Sequence, residues 1–175
     1  TDTDHNYLAT VPGGVEQLTI AISLVEQDTE ASVQHVHTAS LLANPSVALQ
    51  ANDDRWNGYL KKVIRDDMPA EYNRVAAKSI VTLLSNWRAK RGALYHDGIV
   101  PSHAVGYFVG CWAWDCWRFS AGMASFFPEL AKDNIRVMFD YQQPDGMIID
   151  CIYPDASENN YRDSKPPLAA WAVNE

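Results

Sequence analysis

Two long segments of the chain carry apolar side chains at spacings of three and four residues. In the first, which begins near Pro69, they are Tyr72, Val75, Ala76, Ile80, Leu83, Leu84 and Trp87. In the second, over 128–142, the stripe comprises Leu130, Ala131, Asn134, Ile135, Met138 and Tyr141. This spacing gathers the stripe on one face of an α-helix. The sequence therefore predicts amphipathic helices over both segments.

Four further helical segments are predicted, over 31–43, 45–64, 115–126 and 166–173. Asn44-Pro45 is typical of an N-cap followed by proline in the first helical turn. Pro128 ends the third segment before Phe127, because proline disfavours helical geometry in the residue before it. We expect the last helix to begin with its two prolines and to be interrupted by the chain end. Together these segments predict a mainly α protein of antiparallel helical hairpins.

Residues 18–25 follow a different pattern, in which large aliphatic side chains alternate with small or polar ones. A period of two is typical of a half-buried β-strand. No neighbouring segment offers a partner strand, and a lone strand leaves its edges unpaired. We therefore interpret residues 1–28 as the end of a preceding β-domain with its linker, and residues 29–175 as part of a helical domain.

The charge of the chain argues against two classes of partner. Its 175 residues carry a formal charge of −8, with Lys and Arg scattered among the acids. This distribution gives no electrostatic basis for binding a nucleic-acid backbone or an anionic membrane. No apolar run reaches the roughly 20 residues of a membrane-spanning helix. We expect neither nucleic acid nor membrane as a partner, and we favour a periplasmic or secreted location over a cytoplasmic one.

The sequence offers few ligands for a metal or a cofactor. Cys111, Cys116 and Cys151 contain no CxxC pair, which argues against a zinc knuckle or a disulfide scaffold. His35 and His37 are two residues apart on a predicted helix, so they point to different faces, unlike the four-residue spacing of a helical zinc pair. No GxSxG motif or phosphate-binding glycine loop is present. We expect no cofactor in this chain.

The densest group of unusual residues lies within residues 110–118. It places Asp115 among Trp112, Trp114 and Trp117 at the start of a predicted helix. An aromatic pocket raises the pKa of a carboxyl group and so favours a proton donor, which glycoside cleavage requires. Indole faces also suit the flat face of a sugar. Alternatively, Asp115 is the N-cap of the helix, and the field at a helix start lowers its pKa.

Several motifs in a fixed order extend this observation to a family. They are Arg55–Lys62, Asn86–Arg88, Pro101-Ser102, Gly110, Trp112–Trp117, Pro128–Arg136 and Lys165–Trp171. Over about residues 50–175 the chain resembles glycoside hydrolase family 63, in particular its bacterial α-glucosidase branch. The resemblance implies a partial (α/α)₆ toroid of helical hairpins, preceded by a strand left over from a β-sandwich domain. It also implies an inverting mechanism without a catalytic metal.

The resemblance assigns roles to individual residues. Asp115 matches the general acid of the family, whereas the general base is a glutamate that we expect beyond Glu175. The substrate-lining residues that it implies are Gln142, Asp145, Gly146 and Lys165. On their own chemistry we add Trp112, Trp114 and Trp117, whose rings suit a sugar face, and Arg118, which can bind a hydroxyl or hold Asp115. Each has an ordinary alternative: core packing for Trp117, a surface ion pair for Arg118, a plain turn for residues 142–146 and a solvated loop position for Lys165. Cys116 and Arg118 depart from the branch pattern.

We expect this chain to contribute the acid to the hydrolysis of α-linked glucosides or oligosaccharides, and to be inactive by itself. A mannosylglycerate- or trehalase-type hydrolase would share the toroid and the acid. A non-catalytic carbohydrate-binding or assembly fragment is the alternative from another class. The expected partners are the glycoside substrate and the remainder of the same enzyme. The resemblance allows a calcium site in that remainder, but this chain has no DxDxDG loop.

Overall fold

The computed structural model describes residues 2–3, 6–7, 10–11, 13–23, 25 and 28–175. The chain divides into two compact units, Thr1–Arg55 and Trp56–Glu175. The described residues form six α-helices and six two-residue strands, so the prediction of a mainly α protein is confirmed. None of the described helices is long and apolar enough to cross a membrane.

The first unit contains a short ribbon and two helices. Strand β1 (Asp2–Thr3) pairs antiparallel with β2 (Asn6–Tyr7). Helix α1 spans Asp28–Ala43, and α2 spans Pro45–Val63 and continues into the second unit. The Asn44 carbonyl accepts the backbone N–H of Val47 at 3.2 Å, which places Asn44 at the start of α2 as predicted. Both helices were predicted correctly to within a few residues.

The strand predicted over residues 18–25 is wrong. Its described residues, 18–23 and 25, form no strand. A strand needs a hydrogen-bonding neighbour, and no described segment of this unit lies beside residues 18–23 in that way. The segment instead borders α1 and the start of α2 and lines with them an open cavity of about 940 Å³. Its alternating aliphatic side chains stay exposed, Ile22 to 86%.

The second unit is built on helices and two short two-stranded ribbons. Its helices after α2 are α3 (Ala70–Ser85), α4 (Ala113–Met123), α5 (Pro128–Phe139) and α6 (Ala169–Asn174). Its strands are β3 (Trp87–Arg88), β4 (Gly98–Ile99), β5 (Cys111–Trp112) and β6 (Cys151–Ile152). Strand β3 pairs antiparallel with β4, and β5 with β6. Single 3₁₀ turns cover Gly106–Phe108 and Ala156–Glu158.

The predicted helices of this unit are present with shifted ends. Helix α3 begins after Pro69 but ends before Trp87, which pairs with Ile99 in the β3–β4 ribbon. Helix α5 ends at Phe139, short of Gln142. The two prolines predicted to start α6 precede it, because the helix begins only at Ala169. A ribbon follows α3, a turn follows α5, and an extended segment precedes α6.

The core of the second unit lies between α4 and α5. Trp117, Val137, Met138, Ile149 and Ile152 belong to one buried cluster that also reaches α6. A second cluster joins α3, β4 and the turn between α4 and α5 through Ile80, Ile99, Met123, Phe126 and Leu130. Strand β5 leads directly into α4, so the β5–β6 ribbon and this core together fix where α4 begins.

Candidate active site

Asp115 occupies the third position of α4, within its first turn. The N-cap is Trp112, and no side chain caps the helix. The N-cap interpretation of Asp115 is therefore wrong. A backbone carbonyl next to β6 caps the helix in place of a side chain. The first helical amide, that of Ala113, donates to the carbonyl of Asp150 at 2.9 Å. The carboxyl of Asp115 instead accepts a hydrogen bond from its own backbone amide, which lies in the first turn of α4.

The environment of Asp115 raises the pKa of its carboxyl group. Burial is the largest cause, since the side chain is half-buried and its charged form loses hydration. A hydrogen bond from its own backbone amide and the positive charges of Arg118 and Lys165 oppose the shift. The negative charge of Asp150 adds to it. The net direction favours retention of a proton, as a general acid requires.

Two of the three predicted tryptophans lie beside Asp115 with part of their surface open. Trp112 and Trp114 are both partly exposed. The indole N–H of Trp112 donates to the Tyr107 carbonyl at 3.3 Å, and its ring meets the edge of Phe108 with centroids 5.5 Å apart. These contacts hold the ring in place while leaving surface available. Such a ring suits a sugar face.

Trp117 has no such surface. Only 2% of it is exposed, and its ring packs against Phe139 with centroids 6.0 Å apart. The core interpretation of Trp117 therefore agrees with its position, and stacking on a sugar does not. Trp117 belongs to the buried cluster that contains Val137 and Met138 of α5.

The two predicted cations surround the same indoles. The guanidinium of the exposed Arg118 lies 4.5 Å from the centroid of the Trp114 ring, in a cation–π contact. The Lys165 ammonium lies 5.8 Å from the centroid of the Trp112 ring and 3.1 Å from Oδ1 of Asp150. Lys165 is therefore partly buried in an ion pair and is not a solvated loop residue. Both positive charges act on Asp115 and lower the pKa of its carboxyl group.

Residues 142–146 form a turn that satisfies its own polar groups. The side-chain amide of Gln142 donates to the Gly146 carbonyl at 3.1 Å, and the Asp145 carboxylate accepts the Met147 amide at 2.9 Å. Gly146 has φ of 91°, a left-handed conformation that favours glycine. All three predicted residues are exposed. Among the described residues, no hydrogen bond or ion pair joins them to the Asp115 group.

Asp150 belongs to the site although it was not among the predicted substrate-binding residues. Its side chain is only 4% exposed, and it faces Lys165 and Asn160. One signal in the sequence marks it: Asp150 is the only charged residue in the run from Met147 to Tyr153. A lone acid in an apolar run is typical of a buried, paired carboxylate.

The described residues contain no group of three or more His, Cys, Asp or Glu side chains placed to hold a metal ion. The three cysteines are free thiols, all buried. No family model matches this chain. The candidate site therefore consists of the Asp115 carboxyl, the open faces of Trp112 and Trp114, and the flanking charges of Arg118, Lys165 and Asp150.

Proposed function

We propose that this chain is the acid-bearing part of an inverting α-glycosidase, as its resemblance to glycoside hydrolase family 63 implies. The observation that carries the proposal is the state of Asp115. Its carboxyl group is half-buried at the start of α4, its pKa is raised by that burial, and two partly exposed indoles flank it. A protonated carboxyl beside apolar ring faces is what cleavage of a glycosidic bond needs.

In the proposed reaction, Asp115 donates its proton to the glycosidic oxygen as the bond to the anomeric carbon breaks. Water attacks that carbon from the opposite face and gives up a proton to a glutamate that lies outside residues 1–175. In inverting enzymes the two carboxyl groups stand roughly 6.5–9.5 Å apart, which leaves room for this water. In the complete (α/α)₆ toroid that the resemblance implies, the rest of the ring would bring the glutamate to that distance.

The other charged groups of the site suit binding better than the second catalytic role. Asp150 is buried and ion-paired with Lys165, and Asp145 is committed to its turn. Neither carboxylate is placed to activate a water. Arg118 is exposed beside Trp114 and can donate to sugar hydroxyls, and its positive charge lowers the pKa of Asp115. This distribution supports a base supplied from elsewhere.

We propose α-linked glucosides or oligosaccharides as substrates. A mannosylglycerate- or trehalase-type hydrolase would use the same acid, and a panel of these glycosides would separate the three. A non-catalytic assembly module is the second candidate, favoured by the exposed apolar side chains of α3, where Tyr72 and Val75 are 59% and 65% exposed. Exposed faces of this kind promote association.

The decisive experiment changes the acid in a polypeptide extended past Glu175 to include the base. Asp115→Asn should lower turnover of substrates with poor leaving groups by at least about 10²-fold, the low end for general-acid catalysis. Glycosyl fluorides, which need no proton, should lose much less. Asp133→Asn, the same change at an ion-paired position on α5, is the matched control. Unchanged turnover in Asp115→Asn would reject the proposed role.

The same preparation tests inversion. One displacement by water converts an α-glucoside into β-glucose. NMR of the first-formed anomer should therefore show β-glucose, and initial release of α-glucose would contradict the mechanism even if Asp115 proved essential.

A further inference from the structure

We propose that Asp150 is the positioning residue of the site: through its backbone carbonyl and its ion pair with Lys165, it fixes the first turn of α4 and with it the carboxyl of Asp115. This inference rests on the proposed function, because it assigns Asp150 a role in presenting the general acid. Asp150 is argued to act through Asp115 and not to touch the substrate.

The backbone of Asp150 connects three segments. Its carbonyl accepts the amide of Ala113, the first residue of α4, at 2.9 Å. Its amide donates to the Asn160 carbonyl at 3.1 Å, and the Asn160 amide returns to the Cys151 carbonyl at 3.1 Å. The backbone amide of Asp150 therefore bonds to the segment after β6, and its backbone carbonyl bonds to the start of α4. Asp115 lies two residues beyond Ala113, within the turn that this bond anchors.

The carboxylate of Asp150 also contacts two segments, those of Asn160 and Lys165. Oδ2 accepts the side-chain amide of Asn160 at 3.0 Å. Oδ1 is fully buried and makes no hydrogen bond of good geometry, so the Lys165 ammonium at 3.1 Å is its only partner among the described residues. A buried charge without compensation is strongly destabilising. The ion pair is therefore what permits an ionised carboxylate at this position.

Lys165 extends the connection to the other wall of the site. Its ammonium lies 5.8 Å from the Trp112 ring centroid, above the last residue of β5. The segment that leads from β6 to α6 is thus tied both to Asp150 and to the indole beside Asp115. If this tie is lost, the first turn of α4 keeps its core packing but loses the contacts that fix its direction.

The charged groups that face Asp115 come from three places. Arg118 lies one turn later on α4, Lys165 on the segment before α6, and Asp150 before β6. Removal of the Asp150 charge takes away an anion and frees the Lys165 charge, so both effects favour ionised Asp115. If Lys165 is replaced as well, its positive charge no longer lowers the pKa of Asp115. This gives an ordered expectation for the titration of Asp115.

The test is a carboxyl ¹³C NMR titration of Asp115 in the 175-residue chain, with amide exchange measured at Ala113. Asp150→Asn should lower the titration midpoint of Asp115, and the double change Asp150→Asn with Lys165→Met should bring it back toward the wild type. Exchange at Ala113 should be up to about tenfold faster in Asp150→Asn, as expected for one weakened hydrogen bond. Lys165→Arg preserves the ion pair. It should therefore show the wild-type titration midpoint of Asp115 and the wild-type exchange rate at Ala113.

Glu129→Gln and its double change with Lys132→Met are the matched controls, since this exposed pair on α5 is chemically equivalent to Asp150–Lys165. A midpoint of Asp115 that moves no more than in these controls would overturn the inference. The double variant carries no unpaired charge but lacks the ion pair. If Asp150→Asn does not fold, exchange at Ala113 that is no faster in this double variant than in the control double variant would overturn the inference. Failure of the proposed function can be distinguished from failure of this inference. If Asp115→Asn left the turnover of the extended enzyme unchanged, the proposed function would fail, but the order of the Asp115 titration midpoints among the variants would stay as expected.

Discussion

Asn134 is the polar residue on which the α4–α5 packing depends. It is completely buried on α5. Its Oδ1 accepts the Ile99 amide of β4 at 2.8 Å, and its Nδ2 donates to the Cys116 carbonyl at 2.8 Å and to the Ser120 hydroxyl at 2.9 Å. One side chain thus joins a strand and two helices. The apolar stripe of the sequence includes Asn134, and the structure gives the reason: it is a core residue with every polar atom satisfied.

We expect Asn134→Ala to lower the free energy of unfolding by about 1–3 kcal/mol, because it orphans the buried Ile99 amide. The Cys116 carbonyl keeps the Ser120 hydroxyl as a donor at 2.7 Å. Urea denaturation of the chain measures this loss. Asn73→Ala is the matched control, since Asn73 also makes two side-chain hydrogen bonds, both to Arg65, but at the exposed surface. Equal losses in the two variants would contradict the role of Asn134.

Asp115 should also affect stability in a pH-dependent way. Its pKa is raised in the folded chain, mainly by burial, so its favourable contribution is complete below the ordinary value of 3.8 and is lost as pH rises through the folded pKa. Asp115→Asn should therefore gain stability relative to the wild type as pH increases from below 3.8 to neutrality. Urea denaturation at both ends of this range measures the difference.

Asp67→Asn is the control for this experiment because its sign is opposite. The Arg65 side chain lowers the pKa of Asp67, so that carboxylate stabilises the folded state above its ordinary pKa and loses this contribution in acid. Asp67→Asn should therefore lose stability relative to the wild type as pH rises. A common direction in the two variants would show that burial does not dominate at Asp115.

At the scale of elements, the β5–β6 ribbon is packed too tightly for a side chain before β5. A Cβ added at Gly110 would lie 2.7 Å from a ring carbon of Tyr153, 2.8 Å from the Cys151 sulfur and 2.9 Å from the Ile152 carbonyl oxygen. The last of these is backbone and cannot turn aside. Gly122 in α4 is the opposite case, since its nearest such neighbour is a Leu83 methyl group at 3.9 Å.

Gly110→Ala should therefore destabilise the chain by about 1–3 kcal/mol, as overpacking usually does. Gly122→Ala should stabilise it by about 0.5–1 kcal/mol, because alanine is the better residue in an exposed helix interior. Thermal unfolding of the two variants beside the wild type gives both signs. If Gly110→Ala were neutral, the ribbon would be looser than these distances indicate.

The elements also show what can be read from sequence. Helices α2, α3 and α5 were predictable because apolar spacing and proline are local signals. The two-residue strands were not, since two residues carry no period. The strand predicted at 18–25 failed because pairing depends on a neighbour that no local pattern supplies. Asp115 and its indoles were predictable from their clustering, whereas Asp150 lies 35 positions beyond Asp115 and acts on it only because the chain folds back.

At the scale of the molecule, each unit leaves large apolar side chains in contact with solvent. Val33 and Val36 are exposed on α1, and Tyr72 and Val75 on α3. A closed ring of helical hairpins, as proposed, would cover such faces with neighbouring helices. Exposed faces of this kind are expected both of a part of the proposed toroid and of a module that associates with a partner.

We expect the purified 175-residue chain to show no glycosidase turnover. It contains the acid, but without a base to deprotonate water the inverting displacement lacks its nucleophile. A sensitive assay of glucose release from an α-linked disaccharide, whose leaving group needs the proton of Asp115, measures this. Turnover that Asp115→Asn abolished could not come from a contaminant and would contradict the expectation. The second catalytic carboxylate would then lie within the chain, with Asp145, Asp150 and Asp163 the first to replace.

The buried thiols have a consequence for how this fold can be observed in motion. Burial raises the pKa of Cys116 far above its usual range and that of Cys151 to about 12. Only a thiolate is alkylated readily, so both sulfurs are inert while β5, β6 and α4 stay packed. The rate at which iodoacetamide alkylates these two thiols therefore measures how often these elements open transiently. The chain thus carries, beneath its candidate acid, a native reporter of how often that part of the molecule comes apart.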